Sequence, residues 1–334
     1  DHHNVLNHEE WQRQNNNFTP IISKEISTSN GHVLQLGVDD DVIYEIPNGK
    51  ERTTENLRNE FIRICNEIRK KDGLPQVNHP FDASFSTRYN SEFWDMIEIF
   101  ESMEIWNGAT PFAAGTINAK AFKKWLSLLD EGKRLTATTG SDTHNIYGDD
   151  YFGMTEWLDW LMDIVMKHPE IYPEQMNEKV AYLTWLYKKV WPRLLSWVEQ
   201  SNTPSTIHNY VYTNGKNQPQ EILQAIREGH SFISNGPLIT AEINGVSYGD
   251  TATLKDNTGK MSVHVFSKKP INHLWMYTGV DKKVEICTGS GSLEGGFAYD
   301  IVTDEFDFGG ASWALFVADG GENNLAISNP ILFA

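Results

Sequence analysis

The spacing of apolar residues changes once along this chain, near Gly236, and that change limits the folds open to it. Past this point apolar residues recur at every second position in short runs: Leu238 to Ile243, Lys260 to Phe266, His273 to Tyr277, Lys283 to Ile286, Phe297 to Val302, Trp313 to Ala318 and Asn324 to Ser328. Gly, Asp and Asn separate them. A strand shows alternate side chains to opposite faces, so a period of two means one face buried and one wet. Several such strands at short intervals predict an antiparallel β-sandwich-like domain over 237–334.

Before Gly236 the pattern is mixed. Pro20 to Ser27 and His32 to Val38 read as strands joined through Asn30-Gly31, a strong hairpin pair. Leu57, Phe61, Ile64 and Ile68 recur at helical spacing within Thr54 to Lys71, and Asp72-Gly73 stops that helix. Leu74 to Asn78 reads as a short strand and Glu98 to Trp106 as another. Ala119 to Leu129 reads as a helix stopped by Gly132, Arg134 to Thr139 as a further strand, and Pro219 to Glu228 as a helix ended by Gly229. This α/β rhythm over 1–236 fits either a barrel or an open parallel sheet. Between Tyr151 and Gln200 the composition shifts: Trp157, Trp160, Trp185, Trp191 and Trp197 fall in a helical stretch broken at Pro169 and Pro173. We read residues 151–200 as a Trp-rich helical insert that packs aromatics onto the core.

Composition narrows the function classes. With 334 residues, 40% hydrophobic and 12% aromatic, the chain can bury more than one core. A formal charge of −17 argues against a nucleic-acid polymer or an anionic membrane as partner, since both reward clustered Lys and Arg. No run reaches the roughly 18 apolar residues that a membrane helix needs. Walker loop, dinucleotide fingerprint and nucleophile elbow are all missing, so ATP-, NAD- and serine-dependent chemistry has no support. The chain opens inside what reads as a motif, at Asp1, as a mature or truncated form would. A periplasmic or secreted location therefore stays open beside a cytoplasmic one. Cys65 and Cys287 neither demand nor forbid an oxidising compartment.

Carboxylates and imidazoles collect at the ends of the strand-like runs. Asp142 and His144 follow the run ending at Thr139, within Gly140-Ser141-Asp142-Thr143-His144. Asp1-His2 opens the chain, Glu25 and His32 lie on the hairpin, and His79 follows the third run in Asn78-His79-Pro80. In α/β folds such ends converge on a crevice. Imidazole nitrogen with carboxylate oxygen suits zinc, manganese, iron or nickel, whereas calcium and magnesium prefer oxygen alone. The candidate ligands are thus Asp1, His2, Glu25, His32, His79, Asp142 and His144, enough for one to three divalent transition metal ions. His79 and Asp142 are also candidates for catalysis. Glu104, just ahead of Trp106-Asn107-Gly108, reads as support for a ligand from behind. Arg88 offers a fork suited to clamping phosphate.

At these residues the chain resembles the PHP (polymerase and histidinol phosphatase) superfamily of metal-dependent hydrolases, and within it the CehA/McbA-like branch, which pairs a PHP barrel with a β-rich tail. Asp1-His2 is similar to the family's Thr-Asp-His motif, and Glu25 with Gly31-His32 to its next carboxylate and histidine. Asn78-His79-Pro80 is similar to its third segment, Gly140 to His144 to its last, and Arg227 to Pro237 to the join before the tail. The resemblance implies a distorted (β/α)7-type PHP barrel bearing the helical insert, followed by the β-sandwich-like domain. It also implies hydrolysis of small-molecule esters, phosphoesters foremost, by metal-activated water. A carboxylic or carbamate ester hydrolase is one alternative, and a non-catalytic degenerate PHP scaffold with a binding β-domain is another. The family's opening His-x-His strand with its Ser-Asp-Gly is absent. The first residue stands downstream of that strand, as expected of an incomplete chain.

Overall fold

The computed structural model describes residues 19–28, 31–39, 42, 54–81, 91–108, 112–142, 207–287, 291–293, 295–321 and 324–334. The chain divides into two compact units, 1–140 with 207–334, and 141–206. Ser141 and Asp142 represent the second unit among the described residues; the helical insert expected over 151–200 lies outside them.

In the first unit, β1 (Ser23–Thr28) and β2 (Gly31–Leu36) form the expected hairpin. β3 (Leu74–Val77) pairs antiparallel with β2, and β4 (Ser102–Asn107) and β5 (Thr136–Gly140) continue the sheet in parallel. Helix α1 (Thr54–Lys70) buries Phe61, Ile64, Cys65 and Ile68. Helix α2 (Ile117–Asp130) starts where the Thr116 hydroxyl accepts the Ala119 N–H at 3.3 Å, satisfying one of the donors a helix start leaves open. The strand expected from Glu98 is shorter than its pattern suggests. Ser91–Ile99 is a 3-10 helix that turns Met96 and Ile97 inward, and extended pairing begins only at Ser102.

This sheet does not close. Among the described residues strand (45%) outweighs helix (21%) in three sheets with four helices, and no barrel forms. The (β/α)7-type PHP barrel expected from the sequence is thus overturned. Part of the reason lies at the edge of β5, where a barrel would continue. There the pairing groups are taken by side chains. Asn329 Oδ1 accepts the Ala137 N–H at 2.7 Å, and Asn209 Oδ1 accepts the Thr139 N–H at 3.0 Å. Asn209 Nδ2 donates back to the Thr139 carbonyl at 2.7 Å, and Asn329 Nδ2 to the Ser231 carbonyl at 2.9 Å. A primary amide carries the same donor and acceptor as a peptide, so it ends a ladder without leaving a buried group unpaired.

The remaining strands build two more sheets. One has eight strands: β6 (His208–Val211), β7 (Ser231–Ser234), β10 (Thr251–Ala252), β12 (His273–Gly279), β13 (Lys282–Cys287), β16 (Trp313–Asp319), β17 (Leu325–Ser328) and β18 (Ile331–Phe333). The other has five: β8 (Leu238–Ile243), β9 (Val246–Ser247), β11 (Thr258–Ser267), β14 (Gly291–Leu293) and β15 (Gly296–Asp307). The short helix α3 (Pro219–Arg227) leads into β7. Strand β16 explains the layering. Trp313, Leu315 and Val317 join the core that holds Trp125, Phe61 and Ile64, while Ala314, Phe316 and Ala318 join the core of Ile239, Val263 and Val265. A continuous apolar run is what a strand needs when both of its faces are covered.

Asn329→Leu keeps the branching of the side chain and removes the pairing. We expect it to cost about 1–3 kcal/mol for the stranded Ala137 N–H alone, read as a lowered urea midpoint at unchanged slope.

Candidate metal centre

The hairpin positions the first two side chains. Glu25 stands opposite Leu34 and Ser27 opposite His32, so Glu25 and His32 are diagonal neighbours on one face, a separation that long side chains bridge. The third arrives from β3. Past the Val33–Val77 pair, the Asn78 N–H donates to the His32 carbonyl at 3.2 Å and carries the ladder one residue further. His79 follows with a φ of 23°, which a non-glycine residue adopts only where its surroundings hold it. Glu104 supplies part of that hold, because its Oε2 accepts the His79 N–H at 2.6 Å. The other carboxylate oxygen lies against Gly140, where an added Cβ would stand 2.9 Å from it. Glycine at the end of β5 leaves Glu104 its room.

Glu25, His32 and His79 meet. His32 Nδ1 and His79 Nε2 each lie 3.0 Å from Glu25 Oε1, and Asn78 Nδ2 donates to the same oxygen at 2.8 Å. The two imidazoles are 5.0 Å apart and cross at 77°. Both rings are buried, and the Glu25 side chain is 12% exposed. Burial pushes the Glu25 carboxyl up, but hydrogen bonds from His32 and His79 and the charges of these rings outweigh it. The carboxyl is held well below the usual carboxylate range.

The donor atoms of these three residues lie within 4.8 Å of one another. Nitrogen and oxygen ligands at about 2.0–2.2 Å from a shared ion stand roughly 3 Å apart, as the imidazole nitrogens do from Glu25 Oε1. Two imidazoles and one carboxylate suit zinc, manganese or iron. Asn78 steadies the carboxylate from behind, as outer partners of ligands do. The residues present fit a transition metal ion.

Of the residues expected in the site, Glu25, His32 and His79 come together, and Glu104 stands behind His79. Asp142 follows β5 with a φ of 53° and belongs to the second unit. Asp1, His2, Arg88 and His144 lie outside the described residues. Gln76 belongs to no motif, yet an amide inside a strand buried at all four positions marks itself by needing partners.

Two other features are weaker candidates. A cavity of about 320 Å³ is lined by Arg134, Thr136, Arg227, Asp250 and Leu332; it opens at the start of β5, away from Glu104 and His79. Ser262, His264 and Asp300 make a linked row, with 2.9 Å from Ser262 Oγ to His264 Nε2 and 2.6 Å from His264 Nδ1 to Asp300 Oδ1. That row lies exposed across β11 and β15, where His264 and Asp300 are register partners. Water screens such an exposed row, so its members hold one another weakly.

Comparison with family models, with curated proteins and with solved structures finds no match for this chain. Among the described residues no helix is long and apolar enough to cross a membrane.

The lowered Glu25 pKa has a defined sign. Its contribution to stability is complete above the ordinary glutamate value of about 4.3 and is lost as pH falls below that towards the depressed folded value. We expect the urea midpoint of the wild type to fall more steeply than that of Glu25→Gln between about pH 4 and pH 2.

Proposed function

We propose that this protein is a metal-dependent hydrolase of small-molecule esters, phosphoric esters foremost, with Glu25, His32 and His79 in its metal centre. One observation carries the reading: two buried imidazoles and a largely buried carboxylate place their donor atoms within 4.8 Å of one another where the β1–β2 hairpin meets the residues just past β3. The resemblance of the motifs around these residues to the PHP superfamily supports it. The β/α barrel of that family forms no part of the proposal.

A divalent ion held there would polarise an ester oxygen and bring the pKa of water towards neutrality. The chain's own residues have separate tasks. Glu25 stays ionised because His32, His79 and Asn78 all point nitrogens at one of its oxygens. Glu104 fixes the main chain at His79 and so limits how far that ring can swing. Burial of His32 and His79 keeps bulk water off the rings. At −17 the chain as a whole repels anions. A phosphoester must therefore be drawn by the charge of the centre itself.

Elemental analysis of purified protein, followed by assay on phosphomonoesters and phosphodiesters, tests the reading. We expect zinc, manganese or iron bound at near-stoichiometric level. His79→Ala should lose that metal and lower kcat/KM by more than the 10–100-fold, roughly, typical of an outer partner. Protein that takes up no metal and cleaves no ester in the panel would end the proposal.

A further inference from the structure

A line of buried side-chain hydrogen bonds runs from Glu25 into the interior of the sheet. Asn78 Nδ2 donates to Glu25 Oε1 at 2.8 Å, and Gln76 Nε2 donates to Asn78 Oδ1 at 2.9 Å. Gln76 Oε1 accepts from Ser102 Oγ at 3.1 Å and from Thr138 Oγ1 at 2.8 Å. Gln76, Asn78, Ser102 and Thr138 are all buried, so none of them can trade its partner for water without cost.

The line has one self-consistent direction. An ionised carboxylate only accepts, so Asn78 presents its NH2 to Glu25 and its oxygen to Gln76. Gln76 must meet that oxygen with its own NH2, which leaves its oxygen to the two hydroxyls. Each hydroxyl then rotates to donate. Both amide orientations follow from the charge at one end of the line. The other end is anchored by the sheet: Ser102 on β4 is the register partner of Gln76, and Thr138 lies on β5 beyond it. Aligned donors of this kind polarise one another and strengthen the last bond in the series.

We propose that Gln76 is a positioning residue for the metal centre. Acting through Asn78, it delivers an oriented donor to the Glu25 oxygen that faces both imidazoles. The sheet interior thereby sets where that oxygen lies and how its charge is balanced. The role at the metal rests on the metal-centre reading above; the directed relay does not.

Reversing the polarity separates this from simple strand-tying. Gln76→Glu is nearly isosteric and still accepts both hydroxyls, but it cannot donate to Asn78. Asn78 then turns its NH2 towards the new carboxylate and its oxygen towards Glu25, setting two acceptors face to face. With Glu25→Gln added, the whole line can run backwards, because a glutamine at position 25 can donate. We expect Gln76→Glu to lower the melting temperature of the full chain by roughly 2–4 °C, and the double variant to melt above Gln76→Glu alone. A double variant that melts lower still, with the two losses simply adding, overturns the relay. Should Gln76→Glu fail to fold, Asn78→Asp replaces it, since that change removes the donor one step closer and Glu25→Gln restores it by the same logic.

The metal arm is a zinc titration of wild type and of the folded variant. Gln76→Glu, or its substitute, should bind zinc about 10–100-fold more weakly; equal affinity overturns the positioning role. A wild type that binds no zinc, in a protein whose double variant shows the reversal, overturns the metal reading and keeps the relay.

Discussion

An ionised carboxylate withdrawn from water is the constraint around which this end of the molecule is built. Glu25 is held ionised against the desolvation that burial imposes, and a charge in that position must be met by donors or it would neutralise. The donors come from distant parts of the chain. His32 is supplied by the second hairpin strand, and Asn78 and His79 by the end of β3. Each arrives only if the strands pair in register, so the site reports directly on correct pairing of the sheet. The unusual backbone at His79 fits the same picture. A left-handed φ survives there because Glu104 holds the peptide nitrogen.

The rest of the first unit gives that cluster a rigid base. The eight-stranded sheet is shared by two cores, with β16 contributing alternate side chains to each. Asn209 and Asn329 finish the β5 edge with side-chain amides, and Asn329 also reaches Ser231 on β7. The cluster itself is tied through the β1–β2–β3 ladder and, at His79, through the Glu104 carboxylate. Donor atoms set on strands hold closer tolerances than donor atoms set on free loops.

Burial distinguishes this cluster from the other histidine pairs. His264 with Asp300 and His273 with Glu285 are close histidine–carboxylate contacts too, but their side chains are far more open to water. Water screens such pairs, and they contribute little. Around Glu25, with its low exposure and two buried imidazoles, the same groups interact strongly and fix one another's orientation. Proximity alone would not have separated the three sets.

Much of this was legible in the residues themselves. The hairpin around Gly31, the apolar stripe of α1, the helix after Thr116 and the place of His79 just past a strand all follow from turn chemistry and periodicity, which act over a few neighbours; Glu25, expected at a strand end, stands inside β1 opposite Leu34. The alternation from Glu98 misled at its start, because Glu98 and Ile99 finish a 3-10 helix and pairing begins only at Ser102. Whether the first sheet closes into a barrel depends on what meets the free edge of β5, and the groups that meet it, Asn209 and Asn329, lie 70 and 192 residues away. The direction of the amides at Asn78 and Gln76 depends likewise on a charge that only folding brings beside them. The sequence alone determined the hairpin, the helices and the short strand ahead of His79, since these are local properties. Tertiary structure alone decided that the sheet stays open and that a glutamine of no motif sits behind the Glu25–His32–His79 cluster, since both rest on contacts between residues far apart in the chain.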